Sequence, residues 1–347
     1  MSDCKMKLVR IRAAVQKHFL WLLVGSYVLA ATWPEPGESL RGLAFTTIVG
    51  GPVFSLPMAL LALLLFNAGI GANVSELAAV FRKPRALLAG LVGNLLVPIG
   101  FLQLLSLALQ LWPDSDEAQS IVVGLAVVAA MPIAGSSTAW AQNANGSAAL
   151  SLGLVLFSTL LSPMTTPMTL TAIEPMTGGP FARALGEMGG HGTGSFLVAC
   201  VVIPSLLGIG CRYFCVGRSE GFKPTIKLIN SMLLLVLCYT NASSVLPQIV
   251  QTPDWDFLAL CVVAVVILCL GAFMTGWILA RLVQASEPQA RSLVFAMGMS
   301  NNGTGIVLAC SALAGLPGAV LPVLIYNLVQ HLVAGGVKRR LDESHGE

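Results

Sequence analysis

Charge is what this sequence has least of. Asp, Glu, Lys and Arg make up 10% of its 347 residues and hydrophobic residues 56%, where a soluble chain carries about 25% charged residues. That balance excludes an ordinary soluble domain and points to a polytopic α-helical membrane protein. Acidic residues inside the apolar runs are missing altogether. All 16 Asp and Glu fall in loops and tails, so no proton relay or cation site built on a buried carboxylate is expected. The eight cysteines are scattered and form no CxxC. They read as small buried hydrophobes, and neither a disulfide nor a resident metal is expected. The four histidines lack ligand spacing. With no base or metal ligand beside a nucleophile, the chain is not expected to be an enzyme.

What is present is a series of long apolar runs. Ten are expected to span a membrane, near 18–32, 46–70, 86–111, 119–142, 147–172, 192–215, 226–247, 257–283, 290–312 and 316–337. Lys5, Lys7, Arg10, Arg12 and Lys17 precede the first run, which gives it the look of a signal peptide. No clear small-residue cleavage site follows it, so a retained helix is expected. Lys and Arg then set orientation. With the N-terminus inside, 17 of the 19 fall on inner segments, leaving only Arg41 and Arg183 outside. Both termini are therefore expected in the cytoplasm, the bilayer being a plasma or inner membrane. The net charge of +3 is accounted for by these topology signals and implies no nucleic-acid partner.

The Gly-rich stretch 173–194 separates five runs from five. An odd number of spans per half forces the halves into opposite orientations, the geometry of an inverted repeat. The expected organisation is a first repeat over 1–172, an extracytoplasmic linker over 173–191 and a second repeat over 192–347. The fourth run of each half is interrupted by small polar residues: "MPIAGSSTAW" at 131–140 and "GMSNNGTG" at 298–305. An unpaired polar group in hydrocarbon costs several kcal/mol, roughly, so a broken helix persists only where protein or a watery cavity covers it. Two breaks at matching positions point to a transporter site, and half-helix N-termini favour anions. Gly and Ser that merely permit close helix packing would explain one such break better than two. A phosphate loop at 298–304 is excluded, because its Lys is absent and no strand precedes it.

The candidate donors follow from the breaks. Ser136, Ser137 and Thr138 stand at the first, and Ser300, Asn301 and Asn302 at the second. Hydroxyl and amide oxygens can hold a small cation, and amide N–H groups can hold a carboxylate. In the last run Asn327, Gln330 and His331 share one helix face and are expected to line the same cavity.

At these residues the chain resembles the bile acid:sodium symporter superfamily. The resemblance runs over nearly all ten runs and is strongest at 63–98, at 131–163 with its closing Ser162–Pro163, and at 296–313 followed by "YNLVQHLVAG" at 326–335. It implies an all-α fold of two inverted five-helix repeats in which spans 4 and 9 are broken and cross. Spans 3–5 and 8–10 would form a core and spans 1, 2, 6 and 7 a panel. It also implies that sodium ligands fall on Ser137, Thr138, Ser151, Ser300 and Asn301, with Asn94 as the amide of the third span. Substrate would meet Ser136, Thr138, Asn301, Asn302, Asn327, Gln330 and His331. Four positions depart from the pattern: Thr138 stands where many members have Asn and Ser300 where they have Gln, and two further positions lose their polar group. Val155 stands where a hydroxyl is usual, and Ala296 where such members carry an acidic residue that bridges two sodium ions. The expected function is alternating-access transport of a small organic anion, coupled to at most one sodium, with no other cofactor. The alternative is a sodium-independent carrier or exporter of an organic anion or metalloid oxyanion.

Overall fold

The structure, a computed structural model, describes residues 14–15, 17–45, 54–72, 84–216 and 223–343. Lys5, Lys7, Arg10 and Arg12 of the basic N-terminal arm, the beginning of the second predicted span at 46–53, Arg82, Lys83 and Arg218 lie outside the described residues. The elements, in chain order, are almost all helices. They are α1 (Phe19–Thr32), α2 (Glu35–Arg41), a strand pair β1 (Ala44–Phe45) and β2 (Phe54–Ser55), α3 (Leu56–Gly71), α4 (Pro84–Leu109), α5 (Ser115–Ala130) and α6 (Gly135–Asn143). After these come α7 (Ala148–Ile173), α8 (Gly179–Gly189), α9 (His191–Leu197), α10 (Ile203–Cys211), α11 (Lys223–Ala242) and α12 (Leu246–Gln251). The chain closes with α13 (Trp255–Leu282), α14 (Glu287–Gly298), α15 (Asn302–Ala312) and α16 (Pro317–Glu343).

Among the described residues, six segments are long and apolar enough to cross a membrane: Pro84–Leu109, Ala148–Met176, Gly192–Phe214, Thr225–Ala242, Trp255–Leu282 and Pro317–Glu343. Phe19–Thr32 and Leu56–Gly71 are apolar but shorter. The protein is thus an all-α polytopic membrane protein. Two expectations are adjusted. The second apolar helix begins at Leu56 rather than near residue 46, because Ala44 and Phe45 pair antiparallel with Ser55 and Phe54 just before it. The Gly-rich stretch expected as a linker contains α8. Phe181, Leu185 and Met188 recur at helical spacing and are buried, and Gly189 lets the helix close on α7, where an added Cβ would lie 2.4 Å from Thr171 Oγ1.

The chain divides into two compact units, residues 1–72 with 199–252, and residues 73–198 with 253–347. In the first, α3 and α10 cross through small residues. A Cβ at Gly208 would lie 2.0 Å from the Phe66 carbonyl oxygen, and one at Gly69 2.3 Å from that of Ser205. In a membrane, close backbone approach of this kind supplies dispersion and interhelical contact where no hydrophobic drive exists. The buried Arg212 guanidinium then donates to the Ile70 carbonyl at the end of α3 (3.0 Å), complementing the negative end of that helix. Tyr239 of α11 donates to the Trp33 carbonyl after α1 (2.8 Å).

The second unit is built around α5 and α14. Every residue of α5 from Ser120 to Ala130 is buried, as is every residue of α14 from Arg291 to Gly298. Helices apolar on all sides need neighbours on all sides. Glycines provide the approach. A Cβ at Gly276 of α13 would lie 2.4 Å from Val294 Cα, and one at Gly124 of α5 2.4 Å from the Ala319 carbonyl of α16. Asp114 starts α5 by accepting from the Asp116 and Glu117 N–H groups at 2.8 and 3.2 Å. The turn from α6 to α7 is clamped by α14: Arg291 donates to the Ala144 carbonyl (2.6 Å) and Ser292 to that of Ser147 (3.0 Å).

Candidate functional site

Both interruptions read from the sequence are helix breaks within the second unit. α5 stops at Ala130 and α6 starts at Gly135; α14 stops at Gly298 and α15 starts at Asn302. The strands of chain between them meet. Ile133 and Ser300 form an isolated antiparallel bridge. The Ala134 N–H donates to the Met299 carbonyl (2.9 Å), and the Asn301 N–H to that of Pro132 (2.8 Å). Ala134 and Asn301 are the N-caps of α6 and α15. Each half-helix therefore begins by donating its cap N–H to the carbonyl two residues before the other's cap. The exchange is a local two-fold, and it satisfies backbone groups that hydrocarbon would leave bare.

The remaining broken ends are fastened by side chains of the following spans. At the first break, Ser158 of α7 accepts from the Ile133 N–H (3.1 Å), and Thr166 donates to the Ala130 carbonyl at the end of α5 (2.6 Å). At the second, Gln330 of α16 accepts from the Ser300 N–H (3.1 Å), and Tyr326 donates to the Gly298 carbonyl at the end of α14 (3.4 Å). Ser158, Thr166 and Tyr326 went unnoticed in the sequence. Tyr326 carried a signal, since it stands four residues before Gln330 and so shares its face. Gln330, expected beside substrate, holds the break through its Oε1.

Around this frame the candidate residues differ in state. Ser137 is fully buried, the third residue of α6, and its hydroxyl has no hydrogen-bond partner. Thr304, the third residue of α15, is the same: fully buried and without a partner. Asn302 is 2% exposed, and neither its amide oxygen nor its amide nitrogen has a partner. Buried polar groups are rarely left so, and each costs about 1–3 kcal/mol while unmet. Ser136 is exposed, and Thr138 and Asn301 are partly buried. Asn301 accepts from the Thr304 N–H (3.4 Å), a helix cap. Ser151 is buried and bonds within its own turn, to the Ser147 and Ala148 carbonyls at 3.1 Å each. Asn327 is buried and His331 partly so.

Asn94 and Ser300 do come together, bordering one small cavity of about 70 Å³ with Thr275, Tyr326 and Met297. Pro98, also on its wall, has no N–H and leaves the Asn94 carbonyl without its helical donor. Ala296 lies elsewhere, in an apolar cluster with Leu87, Ile133, Leu150, Leu154 and Leu293, against which Val155 packs. The two departures that lose a polar group thus share one greasy neighbourhood.

A third polar cluster stands at the starts of α5 and α13, where the carboxylate oxygens of Glu117, Asp254 and Asp256 lie within 4.8 Å of one another. Burial pushes the Glu117 carboxyl above its ordinary value. Hydrogen bonding with Asp256 and with the Phe257 N–H holds Asp254 below its own. Asp254 caps α13 and Glu117 lies in the first turn of α5, where the helix dipole favours negative charge.

Spanning helices, paired breaks and buried polar atoms facing no protein partner describe a carrier rather than a catalyst. Sequence comparison agrees. The family model described as the Sodium Bile acid symporter family matches residues 58–252, more than half of the chain. The chain belongs to that family; it is a membrane transporter and not an enzyme. Among its relatives is the Uncharacterized protein YbaS of Bacillus subtilis (strain 168), 26% identical over 215 residues. That match covers 61% of this chain and 66% of the relative, just under two thirds of its length. The Uncharacterized sodium-dependent transporter YocS of the same organism is 23% identical over 278 residues, 79% of this chain and 80% of the relative.

Proposed function

We propose that this protein moves a small organic anion across the membrane by alternating access, coupled to at most one sodium ion. The observation that carries the reading is the pair of facing helix breaks whose first turns hold the buried, partnerless Ser137, Asn302 and Thr304. A carrier site needs polar atoms that are dry, positioned and free to engage a passenger. Ser137, Thr138 and Ser151 supply hydroxyl oxygens for a monovalent cation, and the break supplies carbonyls. The division into two units supports a panel of spans 1, 2, 6 and 7 that works against a core of spans 3–5 and 8–10. The reciprocal cap exchange supports two inverted five-helix repeats. The relative YocS, named as a sodium-dependent transporter, supports sodium as the driving ion.

The limit of one sodium rests on Ala296 and Val155. The apolar side chains clustered around them offer neither counter-charge nor oxygen, so a second ion there would be poorly compensated for its dehydration. One sodium carried with a monoanion moves no net charge: the about 2.3 kcal/mol per charge per 100 mV that sodium gains moving inward offsets what the anion loses, so the sodium concentration gradient is what accumulates the anion. Uptake into vesicles should fall sharply when choline replaces sodium, and its sodium dependence should have a Hill coefficient of one. A coefficient clearly above one would sink the single-ion reading. Full activity in choline would instead establish the alternative favoured by the same apolar cluster, a sodium-independent carrier or exporter.

Orientation is proposed with both termini cytoplasmic. Cysteine labels in the loop 112–114 and at residue 253 should react with an impermeant reagent from outside intact cells, and labels at residue 340 only after permeabilisation. The reverse pattern would invert the topology.

A further inference from the structure

The half-helix α6 is short and thinly held. Of its nine residues only Ser137 and Ala141 are buried, and with the buried C-cap Ala144 they form one stripe at helical spacing. Ser136, Ala139, Gln142 and Asn143 are exposed. A helix of this length has little stability of its own, and a turn about its axis would swing the partnerless Ser137 hydroxyl off the stripe. What fixes it is a neighbour that runs alongside in the opposite direction. α14 is joined to α6 at three levels. At the start the Ala134 N–H donates to the Met299 carbonyl (2.9 Å). In the middle Trp140 stacks on Phe295, ring centres 6.3 Å apart and planes 14° from parallel. At the end the buried Arg291 guanidinium donates to the Ala144 carbonyl (2.6 Å). As α6 advances from 134 to 144 its partners step back from 299 to 291, so α14 is a splint for the half-helix.

We propose that Arg291 is a positioning residue for the coupling ion, holding the first turn of α6 in register by its grip on the last. The inference rests on the sodium reading given above for Ser137 and Thr138. Groups that bind an ion must be kept within about 0.5 Å of their productive places by neighbours that are themselves locked. Arg291 suits that task. Its positive charge meets the negative end of α6. Glu287, one turn earlier on α14, accepts from its other terminal nitrogen at 2.5 Å and aims the planar fork. The join at the break is main chain and survives a change of side chain, so the grip on Ala144 is where the sequence decides how α6 lies. By the local two-fold, α5 is to α15 what α14 is to α6. From Ile121 to Ala130, however, α5 carries only aliphatic side chains and one glycine. It has no polar arm with which to hold the far end of α15, so the grip belongs to the half-helix assigned to the cation.

The test reads sodium directly. Purified protein is titrated with sodium chloride against choline chloride at equal ionic strength, and the sodium-specific rise in unfolding temperature gives a half-saturating concentration. Arg291→Met keeps length and removes the donors. Its half-saturation should rise about ten- to a hundredfold, the usual effect of losing a partner that orients an ion's ligands. Arg291→Lys, which can still donate to the Ala144 carbonyl, should recover most of the loss. Glu287→Gln leaves that bond in place and should match the parent. Trp140→Leu opens the splint at its middle level and should repeat the Arg291→Met signature, with Trp140→Phe restoring it, so the question is answered even where Arg291→Met does not fold. Variants that melt lower in choline yet half-saturate at the parent's sodium concentration would overturn the proposal and make the splint structural only. A Glu287→Gln protein as impaired as Arg291→Met would overturn it too, transferring the effect from the grip to the ion pair. If sodium does not stabilise the parent more than choline does, the sodium reading falls and this inference with it. If sodium stabilises the parent and neither Arg291→Met nor Trp140→Leu shifts its half-saturation, the inference alone falls.

Discussion

Ala296→Glu should cripple the fold rather than build a second ion site. Ala296 is 1% exposed and sits among Leu87, Ile133, Leu150, Leu154 and Leu293, with Val155 against the cluster. A longer side chain there overpacks, at about 1–3 kcal/mol. Its carboxylate would find no donor among those side chains and would take up a proton instead of staying charged. The combined loss is expected at roughly 3–5 kcal/mol, a large part of a typical domain's stability. Thermal unfolding of the detergent-purified variant checks this, with Ala296→Gln separating bulk from charge: the glutamine protein should be damaged nearly as much at neutral pH, because the glutamate is itself neutral inside. A glutamate variant that melts like the parent, and that sodium stabilises more than it does the parent, would show that the cluster can open to take an ion.

The second large effect concerns Asn301, and a matched control makes it interpretable. Asn301 caps α15 by accepting from the Thr304 N–H, and Ser147 caps α7 by accepting from the Leu150 N–H. Removing either cap with alanine should cost about 1 kcal/mol of stability. Only Asn301→Ala should lose transport, at least tenfold, since the loosened turn is the one that carries Asn302 and Thr304. Asn301→Asp sharpens the test. It keeps the capping oxygen and should fold well, yet it sets a negative charge at a break proposed to carry an anion, and uptake should drop as far as in the alanine protein. Uptake rates scaled to folded protein decide the matter. Equal loss from Ser147→Ala and Asn301→Ala would mean that transport tracks general stability and not this turn.

The contrast between Ser300 and Ser158 shows what a reader of the sequence can and cannot reach. Ser300 was conspicuous because it stands with Asn301 and Asn302 between glycines inside an apolar run, where polarity is costly and so informative. Ser158 has the same hydroxyl and an equally direct role, yet a lone Ser in a helix can satisfy itself, as this one does by also donating to the Val155 carbonyl. Its second partner, the Ile133 N–H, is 25 residues away and exists only once the chain has folded. Thr166, reaching 36 residues to Ala130, is hidden for the same reason. The breaks were therefore legible and their fasteners were not. The helix α8 was obscured differently: glycines around it suggested a loop, although Phe181, Leu185 and Met188 held the period of a helix. The apolar neighbourhood of Ala296 was half legible, since the missing carboxylate could be read directly and its replacement by packed leucines could not.

The bridge between the two breaks has a consequence for how such a protein can change over time. Its two hydrogen bonds run from the Ala134 and Asn301 N–H groups to the Met299 and Pro132 carbonyls, main-chain atoms throughout. Apart from proline at a donating position, no substitution removes them. The frame that sets the distance between the two first turns is thus largely indifferent to mutation, while the side chains it presents are not. A lineage can exchange Ser136, Asn302 or Thr304, test a new passenger, and fail or succeed without dismantling the crossing. A saturation scan should show this as tolerance of apolar residues of similar size at the buried Met299, whose side chain the bridge does not use, beside sharp, substrate-dependent selection at its neighbours.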